Sequence, residues 1–289
     1  MILLLLPGLI WYGVFFYAPL YGIQLAFKDF RIMDGITGSP WIGLDNFRTI
    51  FRASSDFSTI LKNTVLISFY HILFGFPAPI ILALLFNEIR FKVFKRITQT
   101  ISYLPHFLSW VVLSGLLITI LSPSSGIVNE LIKALGFEPI YFLGDQRYFR
   151  FTLVISAIWK EVGWGTIIYL AALASVNPHL YEAAVVDGAG RWKQTWHITL
   201  PMIMPTIAIM FILRIGGILD AGFDQILNLY NPVVYEVADI IDTYIYRVGI
   251  GQLQYGITTA IGLFKNAIAI TLVLGTNYIV KKLGQEGLI

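Results

Sequence analysis

The sequence contains no cysteine, which excludes disulfides and thiolate metal sites. Charge is scarce as well. Only 13% of the 289 residues are charged, against roughly 25% in a typical soluble domain. The net charge of +3 is too small to suggest nucleic acid as a partner. There is no Gly-x-x-x-x-Gly-Lys run, and so no phosphate-cradling loop of that kind. His-Glu-x-x-His and Gly-x-Ser-x-Gly are absent too. The four histidines, His71, His106, His179 and His197, lack zinc-ligand spacing. Neither catalysis nor a cofactor or metal bound by this chain is expected.

What fills the space is apolar. Hydrophobic residues make up 57% of the chain, more than a soluble core of this length could hide, whereas a bilayer solvates them. A spanning helix needs about 20 mostly apolar residues. Six segments qualify, over about 1–27, 61–86, 101–121, 151–174, 201–219 and 256–280. Barrel-type alternation and strong internal repeats are missing. The expected fold class is therefore an all-α integral membrane protein, one domain over 1–289 with six transmembrane helices. Pro7, Pro19, Pro77 and Pro79 predict kinks. The first apolar run has no basic flank before Ile2 and no small-residue cleavage site, so no removable signal peptide is expected. The missing flank also leads to the expectation that residues precede Met1 in the natural chain.

Loop charge sets orientation. With both termini cytoplasmic, the inner segments 87–100, 175–200 and 281–289 hold Arg90, Lys92, Lys95, Arg96, Arg191, Lys193, Lys281 and Lys282 against Glu88, Glu182, Asp187 and Glu286. Most loop acids, including Asp220, Asp224, Glu236, Asp239 and Asp242, then lie outside. One outer loop has Ile127, Val128, Leu131, Ile132 and Leu135 at helical spacing. Its apolar face is expected to pack on the bundle as a lid; the alternative is a docking surface.

The loop over 175–200 is the most informative. Asn177 can cap a helix starting at Pro178. Glu182, Ala183 and Ala184 fall in its middle, followed by Asp187. Gly188 and Gly190 can break it and permit a turn. A second short helix from about Arg191 to Ile198 is expected to lead into a fifth span that starts at Pro201. Small alanines allow close approach by another surface, and Glu182 offers charge to a basic partner.

Glu182-Ala183-Ala184, then Gly188, Ile198 and Leu200-Pro201, match every fixed position of the EAA loop of bacterial ABC importer permeases. Gly22–Phe30, Ile158-Trp159-Lys160 with Gly163-Trp164, Tyr169–Leu173, Leu213–Gly217 through Asp224, and Ala238–Tyr244 resemble the LplB-type carbohydrate permeases of that family. This resemblance implies the type I importer permease fold in a bacterial cytoplasmic membrane. Glu182, Ala183, Ala184, Asp187, Gly188 and Arg191 would then form the coupling loop that seats on an ATPase. The implied partners are a second homologous permease, two ABC ATPase subunits holding ATP and Mg, and an extracytoplasmic solute-binding protein. The implied cargo is a saccharide, with a peptide, amino acid or anion as the alternative. A channel or membrane enzyme with a chance match is the competing class.

Charges inside spans usually face a cavity or a partner. Trp159, Lys160, Trp164, Tyr169, Arg214 and Phe223 are the candidate path residues. Adjacent Lys160 and Glu161 point apart and are not expected to pair; Glu161 could neutralise a cation on another helix. Arg214 could snorkel or pair with Asp220. Lys160, Arg214 and Lys265 against Glu161 alone leave surplus positive charge, which suits an acidic saccharide held by Lys160 between Trp159 and Trp164.

Overall fold

A computed structural model describes residues 2–52, 55–282 and 284 of the chain. Expectations that touch Met1 and Glu286 lie outside the described residues. Among these residues the structure is helical, with one isolated bridge between Lys28 and Trp41 in place of any sheet. Among the described residues five helices are long and apolar enough to cross a membrane: Leu5–Phe27, Phe57–Glu88, Gln146–Ala174, Arg191–Gly216 and Tyr255–Lys282. Two further arms, Lys92–Phe107 and Trp110–Ile120, meet at 105° and count as a sixth span when taken together. Sequence reasoning expected one spanning segment over about 101–121. The first arm instead starts within the basic run, and the break falls just past Pro105.

Proline leaves a repeated mark on these helices. Its missing N–H and its ring both disturb the carbonyl four residues earlier. Three π-helical turns, Gly13–Tyr17, His71–Gly75 and Thr195–Thr199, precede Pro19, Pro77 and Pro201. Each turn is centred on the residue four before its proline: Phe15, Leu73 and His197. Widening the helix there moves the offending carbonyl aside while the helix continues. A fourth turn, Tyr246–Ile250, has no such proline. The device also explains why the fifth span does not start at Pro201. The helix runs unbroken from Arg191 through the π turn to Gly216, and the expected separate short helix is its first part.

The chain forms two compact units. One comprises Met1–Leu61 and Ile240–Ile268. Its core gathers Ala26, Ile50, Phe57, Ile60, Ile241, Ala260 and Ile261. Asn46 secures it by donating to the carbonyls of Ala26 and Lys28 at 2.9 and 3.0 Å. Lys265 is paired within this unit, with both Asp242 carboxylate oxygens at 2.7 and 2.8 Å.

The other unit comprises Lys62–Asp239 and Ala269–Ile289. One cluster there packs Ile80, Ala83, Tyr169, Leu173, Val176 and Ile203. At the start of Gln146–Ala174, Arg150 donates to Asn63 Oδ1 at 2.7 Å and to the Val237 carbonyl at 3.0 Å. Buried Gln225 donates to the Leu153 carbonyl and Ser156 Oγ, both at 2.8 Å. The expected amphipathic helix is present as Ile127–Ala134, with its apolar face only partly packed. Ile127, Leu131 and Leu135 are exposed. The anchor is a polar residue, buried Asn129, which donates to the carbonyls of Leu121, Ser122 and Ile140. Val128 and Ile132, the other two residues of the stripe, are half-buried, and the Asn129 side chain satisfies the backbone around the helix.

Small residues permit the closest helix contacts in a membrane, where tight packing replaces the hydrophobic drive. A Cβ at Gly163 would lie 2.0 Å from the Ser102 carbonyl oxygen. Gly163→Ala should therefore destabilise the protein by about 1–3 kcal/mol through overpacking. Gly115→Ala, where nothing lies within 4 Å of the new methyl, is the matched control. Thermal unfolding in detergent checks this, and equal midpoints for the two variants would refute it.

Candidate functional site

Two regions of the second unit carry the candidate residues. The first is the loop between the fourth and fifth spans. Asn177 caps the helix Pro178–Val186, its side-chain oxygen accepting from the His179 N–H at 3.0 Å. Gly188 closes the helix with φ of +74°. The Gly188 and Ala189 N–H groups return to the carbonyls of Val185 and Ala184 at 3.0 and 2.8 Å. A side chain at this backbone angle would be strained. Gly190 needs no such freedom, since its φ is −68°.

Two contacts brace the loop. The Tyr181 hydroxyl lies 3.1 Å from Thr199 Oγ1, and Arg191 forms an ion pair with Glu88 at the end of the second span. The outward surface stays open. Glu182, Ala183 and Asp187 are exposed, with the Glu182 carboxylate 3.0 Å from His179 Nδ1; Ala184 is half-buried. Val185, Val186, Trp192 and Trp196 are exposed as well, with Val186 at 87%. Together they leave an exposed apolar patch beside a capped helix.

The second region is the break in the third span and the cavity beside it. A helix that ends inside a bundle leaves carbonyls that need donors. Ser109 starts the second arm by accepting from the Val112 N–H. Lys160 completes the break, its ammonium donating to the carbonyls of His106 and Leu108 at 2.7 and 2.8 Å. The Trp110 ring lies 5.7 Å from the same nitrogen. Lys160 is 6% exposed and lines neither lobe of the cavity. Sequence reasoning offered it as the contact for cargo; the structure occupies it with main chain. Contrary to expectation, Glu161 does approach Lys160, at 3.7 Å, and also lies 2.8 Å from His106 Nδ1 on the first arm.

The cavity has two lobes of about 410 and 320 Å³. His71, Ala157, Glu161, Leu213 and Arg214 belong to both, while Trp164 and Tyr169 line the larger. Trp164 is stacked on His106, with ring centres 4.6 Å apart and planes within 1°. Trp159 is half-exposed and Phe223 half-buried, and neither lines either lobe. Three predicted residues, Trp164, Tyr169 and Arg214, thus share one cavity. His71 and His106 were missed. Position six before Pro77 could have pointed to His71, because it opens a π turn; nothing local points to His106. Among the described residues no group of three or more His, Asp or Glu could hold a metal ion.

Lys160→Met should leave the His106 and Leu108 carbonyls without their donor while keeping side-chain length. Each unsatisfied buried group costs about 1–3 kcal/mol, so a large fall in the detergent unfolding midpoint is expected. Lys160→Arg should recover part of it. An unchanged midpoint in Lys160→Met would show that the break holds without the ammonium.

Known proteins match along nearly the whole chain. LplB of Bacillus subtilis (strain 168) is 48% identical over 286 residues, covering 99% of this chain and 90% of the relative. The polygalacturonan/rhamnogalacturonan transport system permease YteP of the same organism is 46% identical, covering 99% and 89%. A crystal structure of a bacterial ABC transporter that imports the acidic polysaccharide alginate contains a chain 46% identical, with a TM-score of 0.90 over 96% of this chain and 94% of that one. A second, of the bacterial alginate ABC transporter with an alginate pentasaccharide-bound periplasmic protein, gives 45% identity and 0.91. Residues 75–285 match the family described as the binding-protein-dependent transport system inner membrane component. Helical spans, a braced surface loop and relatives matched from end to end agree, and the chain belongs to that family of inner-membrane transport components.

Proposed function

We propose that this chain is one permease domain that imports a saccharide, coupled through the loop at Glu182–Gly188 to a separate ATPase. One observation carries the coupling role. The helix Pro178–Val186 is capped at both ends, tied to the span behind it, and yet presents Glu182, Val185 and Val186 outward. A rigid projection transmits displacement, which a loose loop would absorb. ATP and Mg would bind the partner subunits, closure of which draws the loops together and shifts the spans between outward-open and inward-open states.

The relatives support the cargo class. Their names specify polygalacturonan or rhamnogalacturonan in one case and alginate in another. A saccharide also suits the cavity, where Trp164 offers a ring face and Glu161, His71 and Arg214 offer polar groups. The alginate transporter forms a complex with an alginate pentasaccharide-bound periplasmic protein, and a similar soluble partner is proposed here. A second permease would complete the path. Both termini would be cytoplasmic, placing the loop 175–200 on the ATPase side.

Gly188→Val should strain the turn, and Glu182→Lys should put the wrong charge against the ATPase. Both variants should reach the membrane and lose most saccharide-stimulated ATP hydrolysis in the reconstituted complex. Full stimulation in both would remove the coupling role.

Orientation has its own check, on a background free of native cysteine. Cysteine at Thr195 should react only with a membrane-permeant thiol reagent. Cysteine at Gln146 should react with an impermeant one in cells whose outer barrier is opened. Labelling of both from outside would reverse or redraw the topology.

A further inference from the structure

The charges around the cavity are unevenly satisfied. Glu161 is held by His106 and approached by Lys160, so its carboxylate already has partners in the chain. Lys265, counted with the span cations from the sequence, is balanced by Asp242. Arg214 differs. Its side chain is exposed and lines both lobes; Asp220 lines the smaller lobe with it, and among the described residues no carboxylate forms an ion pair with it. Across the same cavity His71 is 7% exposed, and its Nε2 has no hydrogen-bond partner. Buried polar atoms rarely go without a partner unless a ligand or water supplies one.

An exposed guanidinium in a low-dielectric wall attracts an anion and favours planar, bidentate acceptors. Glu161 limits what that anion can be. Its carboxylate lines the same space, so a doubly charged phosphate would be repelled more than a single carboxylate. It can also accept from hydroxyl groups. Trp164, fixed from one side by His106, supplies a flat apolar surface for a sugar ring. A volume of about 410 Å³ lies within the roughly 300–1,000 Å³ usual for ligand pockets.

We propose that this cavity is a subsite for one carboxylated sugar unit, with Arg214 taking the carboxylate, Glu161 the ring hydroxyls and Trp164 the ring face. The inference rests on the saccharide reading above and adds the residue that reads charge. Lys160, by contrast, serves the main chain, and its replacement should not change the choice between acidic and neutral cargo.

The test uses the complete transporter in liposomes, with its binding protein, and two probes: tetragalacturonate and its fully methyl-esterified, neutral counterpart. The binding protein is the same in every sample, so its own preference cancels when variants are compared with wild type. The acidic-to-neutral uptake ratio should fall about tenfold in Arg214→Gln, the loss expected for one charge-assisted contact. It should recover in part in Arg214→Lys. Uptake of the ester shows that a variant is folded and assembled. An unchanged ratio in Arg214→Gln, or a wild type that takes up only the ester, overturns the subsite while leaving saccharide import intact. Uptake of neither probe by wild type overturns both.

Discussion

The contact between one ammonium and two carbonyls holds the break between Phe107 and Trp110 in shape. Lys160 bonds the main chain of His106 and Leu108 where the third span turns through 105°. In lipid, exposed carbonyls have no water to turn to, so an interior break survives only with donors of its own. The same corner positions His106, which stacks on Trp164 and holds Glu161. The cavity wall therefore depends on the break, and the break depends on the lysine.

Charge in this protein is divided between support and exposure. Lys160, Lys265 and Arg150 are committed to carbonyls, carboxylates or amides of the chain itself. Arg214 and Glu182 face outward from the helices that carry them. Buried charge without partners would cost several kcal/mol, so the committed group is structural by necessity. Only the exposed group is available to a ligand or to another subunit.

Local chemistry made the loop legible from its residues. Asn177, Pro178 and Gly188 each act within a few positions of themselves, so cap, first turn and left-handed stop could be placed in advance. Nothing local revealed the partner of Lys160, because the carbonyls it meets lie 54 and 52 residues away in sequence. Counting span cations overstated the free positive charge for the same reason, since Asp242 is 23 residues from Lys265. Pro201 misled in another way. It was taken as a helix start, whereas the π turn before it lets the helix pass through. The apolar stripe at Ile127, Leu131 and Leu135 signalled a helix correctly but not what covers it, and Asn129 supplied the anchoring instead.

The proline-linked π turns also bear on phase. Each amounts to one extra residue in an α-helix, which turns everything beyond it by about 100°. Within Phe57–Glu88, the residues before His71 and those after Gly75 therefore follow two different angular registers. A single helical wheel drawn over this span mixes two faces. Replacing Pro77 alone would leave the surplus residue, and with it the offset. Restoring one register would need a deletion within His71–Gly75 as well. Relatives that lack the proline but keep the length should thus keep the bulge, and changes in length here should come in steps of one residue paired with changes at the proline.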